Sequence, residues 1–223
     1  MPRTQALQDW ITQLFPGQAP DLAPASADAS FRRYFRITLA DGSTRVIMDA
    51  PPEHEDCRPY LQVARLLDDA GVHVPRVFAE DMQQGFLMLS DLGNTTYLDA
   101  LKAHPDSAPA LYREASAALV TLQKASRPGV LPEYDRALLS RELQLFPDWY
   151  IARHLGITLS ETQQAALTGV FEKILANNLA QPKVFVHRDY HSRNLMISTP
   201  NPGVLDFQDA VYGPHTYDLV SLF

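Results

Sequence analysis

Cysteine is nearly absent: the 223-residue chain holds one, Cys57. A single thiol excludes an internal disulfide and a cysteine-rich zinc site, and it fits a reducing, cytoplasmic setting. No run approaches the ~20 consecutive apolar residues of a membrane span. The opening MPRTQALQDW also lacks the apolar core of a signal peptide. Positive charge is short, with 19 Lys and Arg against 26 Asp and Glu, a net charge of −7. An acidic chain repels phosphate backbones, which argues against general nucleic-acid binding. What remains is ordinary globular material, 46% hydrophobic and 20% charged, long enough for one substantial core or two small ones. Proline is plentiful, 17 residues, so many short elements with firm stops are expected. The chain stops at YDLVSLF, inside an apolar helix-like pattern, and its C-terminal part is expected to be incomplete.

Apolar periodicity divides the chain in two. Leu7, Trp10, Ile11 and Leu14 recur at helical spacing, and Pro16-Gly17 closes that pattern. APASADAS follows as a small-residue loop. FRRYFRITL and STRVIMDA read as a hairpin whose turn signal is Asp41-Gly42. A helix from about Pro59 carries Tyr60, Val63, Ala64 and Leu67 on one face and stops at Gly71. PRVFAED and GFLMLSDL read as two further strands. Beyond Gly93 helices dominate. Thr95 or Thr96 caps one to Ala103, and Ser107 caps another with the stripe Leu111, Ala115, Ala118, Leu119 and Leu122. Leu139, Leu143, Phe146 and Tyr150 mark a third helix. Ser160 opens a fourth, with Leu167, Val170, Phe171, Ile174 and Leu175 facing inward. The expected class is α+β, with an antiparallel-sheet lobe over 1–90 and a mainly helical lobe over 91–223.

One cluster breaks the apolar texture of the second half. HRDYHSRN, from His187 to Asn194, lies between the short strands KVFV and LMI. Asp189 falls on a loop just past a strand end, where reactive groups commonly stand on a rigid scaffold. Asn194 follows five residues later, and Asp206 ends the strand GVLDF after a hairpin through STPNPG. Three oxygen-bearing side chains can thus converge from neighbouring strand ends. Such ligands suit a hard cation such as Mg²⁺, which takes few protein ligands and keeps positions open for phosphate.

HRDYHSRN resembles the catalytic loop H-R-D-x-x-x-x-N of protein kinases, and DFQ resembles their D-F-G. The second His after the Asp is similar to the aminoglycoside phosphotransferase-like superfamily of small-molecule kinases. The set SFRRYFRI, MDAPPE, GVHVPRV, LSDLGNTTYL, RELQLFPDWY and FVHRDYHSRNLM resembles, more narrowly, the bacterial cell-wall sugar kinases. These are the anomeric N-acetylmuramate/N-acetylglucosamine kinases of peptidoglycan recycling. The catalytic loop carries only the superfamily; the joint set of motifs, covering nearly the whole chain, carries the narrower likeness.

That resemblance implies a bilobal protein-kinase-like fold, ATP and Mg²⁺ as cofactors, and an amino-sugar acceptor. It implies that Asp189 orients the acceptor hydroxyl and takes its proton, while Asn194 and Asp206 hold Mg²⁺ on the phosphates. Asp218 matches a position that braces the loop. His187 and Arg188 read as loop supports, and Arg193 either faces substrate or supports the loop. The glycine-rich phosphate loop and its lysine are missing. Ala29 and Ser30 stand where glycines are expected, and Met48 falls near the lysine position. Arg32 or Arg33 is the expected source of positive charge, unless the pair only covers the sheet surface. The backbone of Leu89–Leu92, including Ser90 and Leu92, is expected to meet adenine. RELQLFPDWY is implied to flank the acceptor, which makes Glu142 and Trp149 candidate sugar contacts. Phe146 reads as core. The alternatives are an aminoglycoside or choline-like phosphotransferase and a non-catalytic nucleotide-binding relic.

Overall fold

The computed structural model describes residues 2–18, 20–27 and 31–223. They form two compact units, 1–118 with 192–209, and 119–191 with 210–223. Residues 91–118 and 192–209 fall in the unit that holds residue 90.

In the first unit, helix α1 (Pro2–Leu14) precedes strands β1 (Ala23–Ala27), β2 (Arg33–Thr38) and β3 (Thr44–Asp49). Helix α2 (Cys57–Asp69), strands β4 (Val77–Asp81) and β5 (Phe86–Ser90), and helix α3 (Tyr97–Ala103) follow. The sheet is antiparallel in the order β1-β2-β3-β5-β4. The β2–β3 turn forms as expected: Asp41 accepts the Ser43 N–H at 2.9 Å, and Gly42 sits at φ 81°. β1 corrects the sequence reading, because Ala23–Ala27 was expected to be loop and instead pairs with β2. Its side chains carry little strand propensity; the open edge of β2 supplies the reason to pair.

Alternation sorts the two sheet faces. Ile37, Ile47, Phe86 and Met88 meet Leu7, Trp10 and Ile11 of α1 in one core. Asp49 is fully buried and takes both Arg33 and Arg3, the latter at 2.7 Å, so α1 is tied to the sheet by charge as well as by packing. The opposite face carries Tyr34, Arg36 and Val46. α2 starts at Cys57, capped by Asp56 through the Arg58 N–H at 2.9 Å, and buries Tyr60, Val63, Ala64 and Leu67. Cys57 itself is 4% exposed, and burial pushes its thiol up. Strands β7 (Leu195–Met196) and β8 (Gly203–Val204) form a small hairpin in the same unit. A side chain at Gly203 would stand 2.8 Å from the Leu92 side chain and from the Ser198 hydroxyl, so both would have to shift to admit it.

Helix α4 (Ala108–Lys124) links the units, and Leu111, Ala115, Leu119 and Leu122 form its buried stripe. Ser107 does not cap it; its hydroxyl donates to the His104 carbonyl at 2.6 Å. The second unit adds α5 (Arg136–Leu145), a π-helical stretch Phe146–His154, and α6 (Glu161–Ala180), which Ser160 and Gln163 cap reciprocally. Strand β6 (Lys183–Val186) pairs with β9 (Val211–Pro214), and α7 (Tyr217–Leu222) follows. Tyr134, Leu139, Leu175, Val186 and Val211 make its core. Two expectations are corrected here. Val170 and Ile174 of α6 are 51% and 38% exposed rather than inward, and Phe146 is 47% exposed rather than core. Of α6, Leu175 is buried and Leu179 packs partly against the same core.

Candidate active site

β6 ends at Val186, and the polar loop begins with His187, which is buried. Asp218, in the first turn of α7, accepts the backbone N–H of His187 at 2.7 Å and of Arg188 at 2.9 Å. Its carboxyl is pushed up to about 6, first by burial, against the pull of those two N–H bonds; nearby Asp189 adds to the rise. Arg188 adopts φ 79°, a left-handed backbone that a non-glycine residue holds only when its surroundings insist. The insistence comes from both sides: Asp218 fixes its N–H, and Glu142 takes its guanidinium. Within the loop, Asp189 N–H donates to His187 Nδ1 at 3.2 Å, and His191 N–H donates to the Asp189 carbonyl at 3.0 Å. Asp189 as a residue is exposed.

Glu142, a candidate sugar contact, already has partners within the chain. Its carboxylate takes Arg188, the Tyr134 hydroxyl, and the Tyr217 hydroxyl at 3.3 Å. Burial pushes both phenols up, which keeps them protonated donors. Through Arg188, Glu142 is tied to the polar loop. Trp149 is 56% exposed on the π-helical stretch, with the Arg153 guanidinium 4.2 Å above its ring.

The loop's distal end belongs to the first unit. Leu205 N–H donates to the Asn194 carbonyl at 2.9 Å, extending the β7–β8 hairpin and setting Asn194 beside Asp206. The two carboxylate oxygens of Asp206 are separately held: Gln208 donates to Oδ1 at 2.8 Å and Asn194 to Oδ2 at 3.3 Å. Asp206 has φ 62°, the second left-handed non-glycine residue, so its aim is set by these contacts rather than by backbone preference. Gln208 was not singled out from sequence; its offset of two from Asp206 was the available signal. Phe207 packs on Tyr60 of α2, ring centres 4.9 Å apart. Among the described residues no cluster of three His, Cys, Asp or Glu could hold a metal. One carboxylate and one amide oxygen nonetheless suit Mg²⁺, which draws its other ligands from water and phosphate.

A cavity of about 400 Å³ opens beside this pair, wholly within the first unit. Val46, Leu89, Met196 and Leu205 give it apolar walls; Ser90, Leu92, Asn194, Asp206 and Arg193 stand at its lining. Ser90 N–H is already spent on the Arg76 carbonyl at 2.8 Å, and its hydroxyl takes the Arg76 N–H. By contrast, neither the N–H nor the C=O of Leu92 is bonded to another described residue. Of the two candidate cations, Arg33 is held on Asp49, on the sheet face that carries α1. Arg32 pairs with Glu55 at 3.0 Å, both largely buried, near Cys57 and Tyr60. Ser30 lies outside the described residues.

The chain belongs to the phosphotransferase enzyme family, which residues 21–223 match. Within it, the chain is 54% identical to an N-acetylmuramate/N-acetylglucosamine kinase of Pseudomonas aeruginosa over 99% of its length, covering 68% of that protein. Proteins of the same name from Pseudomonas putida and Neisseria meningitidis are 54% and 51% identical over 93% and 100% of the chain, which covers 61% and 66% of them. The chain therefore spans about two thirds or less of the length of most of these relatives. Among solved structures, the ADP-bound aminoglycoside phosphotransferase APH(2'')-Ib superposes with a TM-score of 0.68 at 15% identity, over 96% of this chain and 74% of that one. A choline/ethanolamine kinase family protein from Mesorhizobium loti gives 0.65 at 16%, over 99% and 69%. These likenesses establish the fold: α+β, of the bilobal protein-kinase-like type, as expected from the sequence.

Proposed function

We propose that this chain carries the catalytic part of an ATP-dependent kinase that phosphorylates the anomeric hydroxyl of N-acetylmuramate or N-acetylglucosamine during peptidoglycan recycling in the cytoplasm. The observation that carries this reading is identity above half, along nearly the whole chain, to proteins named for that activity. The sheet lobe then takes the nucleotide, and the helical lobe takes the sugar.

Asp189 orients the acceptor hydroxyl and accepts its proton as the phosphoryl group is transferred. The anomeric hydroxyl is more acidic than an ordinary alcohol, so modest basicity suffices. Asn194 and Asp206 hold Mg²⁺, which would neutralise charge on the phosphates. Adenine lies in the apolar cavity against Leu92, whose backbone groups are open to it. Arg32, steadied by Glu55, supplies the phosphate charge that kinases usually draw from a lysine paired with a glutamate. Asp218 and Glu142 keep the loop from Val186 to Asp189 in its left-handed turn. Arg193 and Trp149 are proposed acceptor contacts.

A coupled ADP-release assay with ATP, Mg²⁺ and each amino sugar tests the reading, with NMR locating the phosphate. Phosphate at the anomeric position is expected. Transfer to an aminoglycoside or choline-like acceptor instead, or nucleotide binding without any transfer by the full-length protein, would overturn it.

A further inference from the structure

Arg36 stands midway along β2, on the face that lines the cavity. Its guanidinium forks onto Asp91, Nε to Oδ2 at 2.5 Å and Nη2 to Oδ1 at 2.9 Å. Nη2 also reaches the Gly93 carbonyl at 3.0 Å, and Gly93 N–H returns to Asp91 Oδ1 at 3.0 Å. These bonds close around one segment, Asp91–Gly93, and Leu92 lies inside the grip. β2 is not the neighbour of β5 in the sheet; β3 runs between them. Arg36 therefore reaches across a strand to fix the chain where it leaves the sheet, a task that strand pairing does not perform. The pair is well shielded, with side chains 23% and 7% exposed, so its charge-assisted bonds are weakly screened by water. The grip also compensates for Gly93, whose φ of 97° would otherwise leave the segment free to swing.

A peptide that offers an open N–H and C=O at the rim of an apolar cavity recognises its ligand through backbone position. Selectivity then depends on whatever fixes that backbone. We propose that the Arg36–Asp91 ion pair is the positioning element that sets the purine-reading edge at Leu92 and thereby the preference between adenine and guanine nucleotides. This rests on the nucleotide reading above. Fork geometry matters more than charge, since a lysine cannot make both bonds in one plane.

The test uses the full-length protein with R36M, R36K and D91N, Mg²⁺, and the non-hydrolysable analogues of ATP and GTP, with affinities from calorimetry and folding checked by thermal melts. Adenine affinity is expected to fall about tenfold in R36M and D91N, the scale of one charge-assisted hydrogen bond, and the adenine-to-guanine ratio to narrow. R36K should resemble R36M. Unchanged affinity and ratio in a folded variant overturn the inference. So does an equal loss for both nucleotides beside a lowered melting temperature, which marks a merely structural pair. Should R36M not fold, the near-isosteric D91N carries the test. A wild-type protein that binds neither nucleotide overturns the nucleotide reading itself, and the inference with it.

Discussion

The Asp218 carboxylate accepts the His187 backbone N–H at 2.7 Å, across 31 residues of sequence. A helix-borne acid thus holds the first peptide of the polar loop, and the next N–H, that of Arg188, is held by the same group. Asp218 is 1% exposed, so its charge is carried at a cost.

That cost makes stability depend on pH in a definite direction. The folded pKa, about 6, lies above the ordinary 3.8, so the folded state binds the proton more tightly than the unfolded chain. The resulting stability is fully present below the lower value and is lost as pH rises through about 6. The D218N variant has no such titration. Between pH 4 and pH 7 the wild type should lose roughly 2 kcal/mol relative to D218N, with little further drift above pH 7. Urea midpoints at four pH values measure this, and a gap independent of pH would assign the titration elsewhere.

Glu142 separates two roles by kinetics. If it braces Arg188, E142A should lower kcat by about tenfold or more while the KM for sugar moves little. A sugar ligand would show the reverse, a raised sugar KM with kcat nearly kept. Steady-state kinetics across sugar concentrations at saturating ATP distinguish the two.

Gln208 fixes one oxygen of Asp206, and Asn194 the other. Removing the amide in Q208A should weaken divalent-ion binding by about tenfold, the usual scale for a partner behind a metal ligand. Mn²⁺ titration in the presence of ADP, followed by electron paramagnetic resonance, reads this without turnover. D206N should bind still less, and Mn²⁺ affinity unchanged in Q208A would remove Gln208 from the site.

Arg32 and Arg33 are adjacent yet should fail differently. R33A deprives buried Asp49 of one partner while Arg3 remains, an expected stability loss of about 1–3 kcal/mol by urea denaturation. R32A should instead lower kcat/KM for ATP by about tenfold or more. Equal effects of the two substitutions on ATP turnover would remove Arg32 from the phosphate role.

These two arginines also mark how far the sequence could be read. The closeness of Asn194 and Asp206 was legible because it is written in a local offset and two short apolar strands. The different partners of Arg32 and Arg33 were not, because strand alternation sends neighbours to opposite faces, and Asp49, which holds Arg33, lies 16 residues on. The partner of Glu142 was not legible either; only the fold brings Arg188 to it, from 46 residues away. β1 was missed because alanine, serine and proline give no strand pattern of their own. The hairpins and α2 were recovered because turn residues and apolar period agreed.

The lone thiol has a practical consequence. Cys57 is buried in α2 and its thiol is pushed up, so little reactive thiolate faces solvent. Within this chain the described surface is in effect blank for maleimide chemistry. One cysteine introduced at an exposed position of this chain, such as Lys102 on α3, would take a fluorophore there without first removing Cys57.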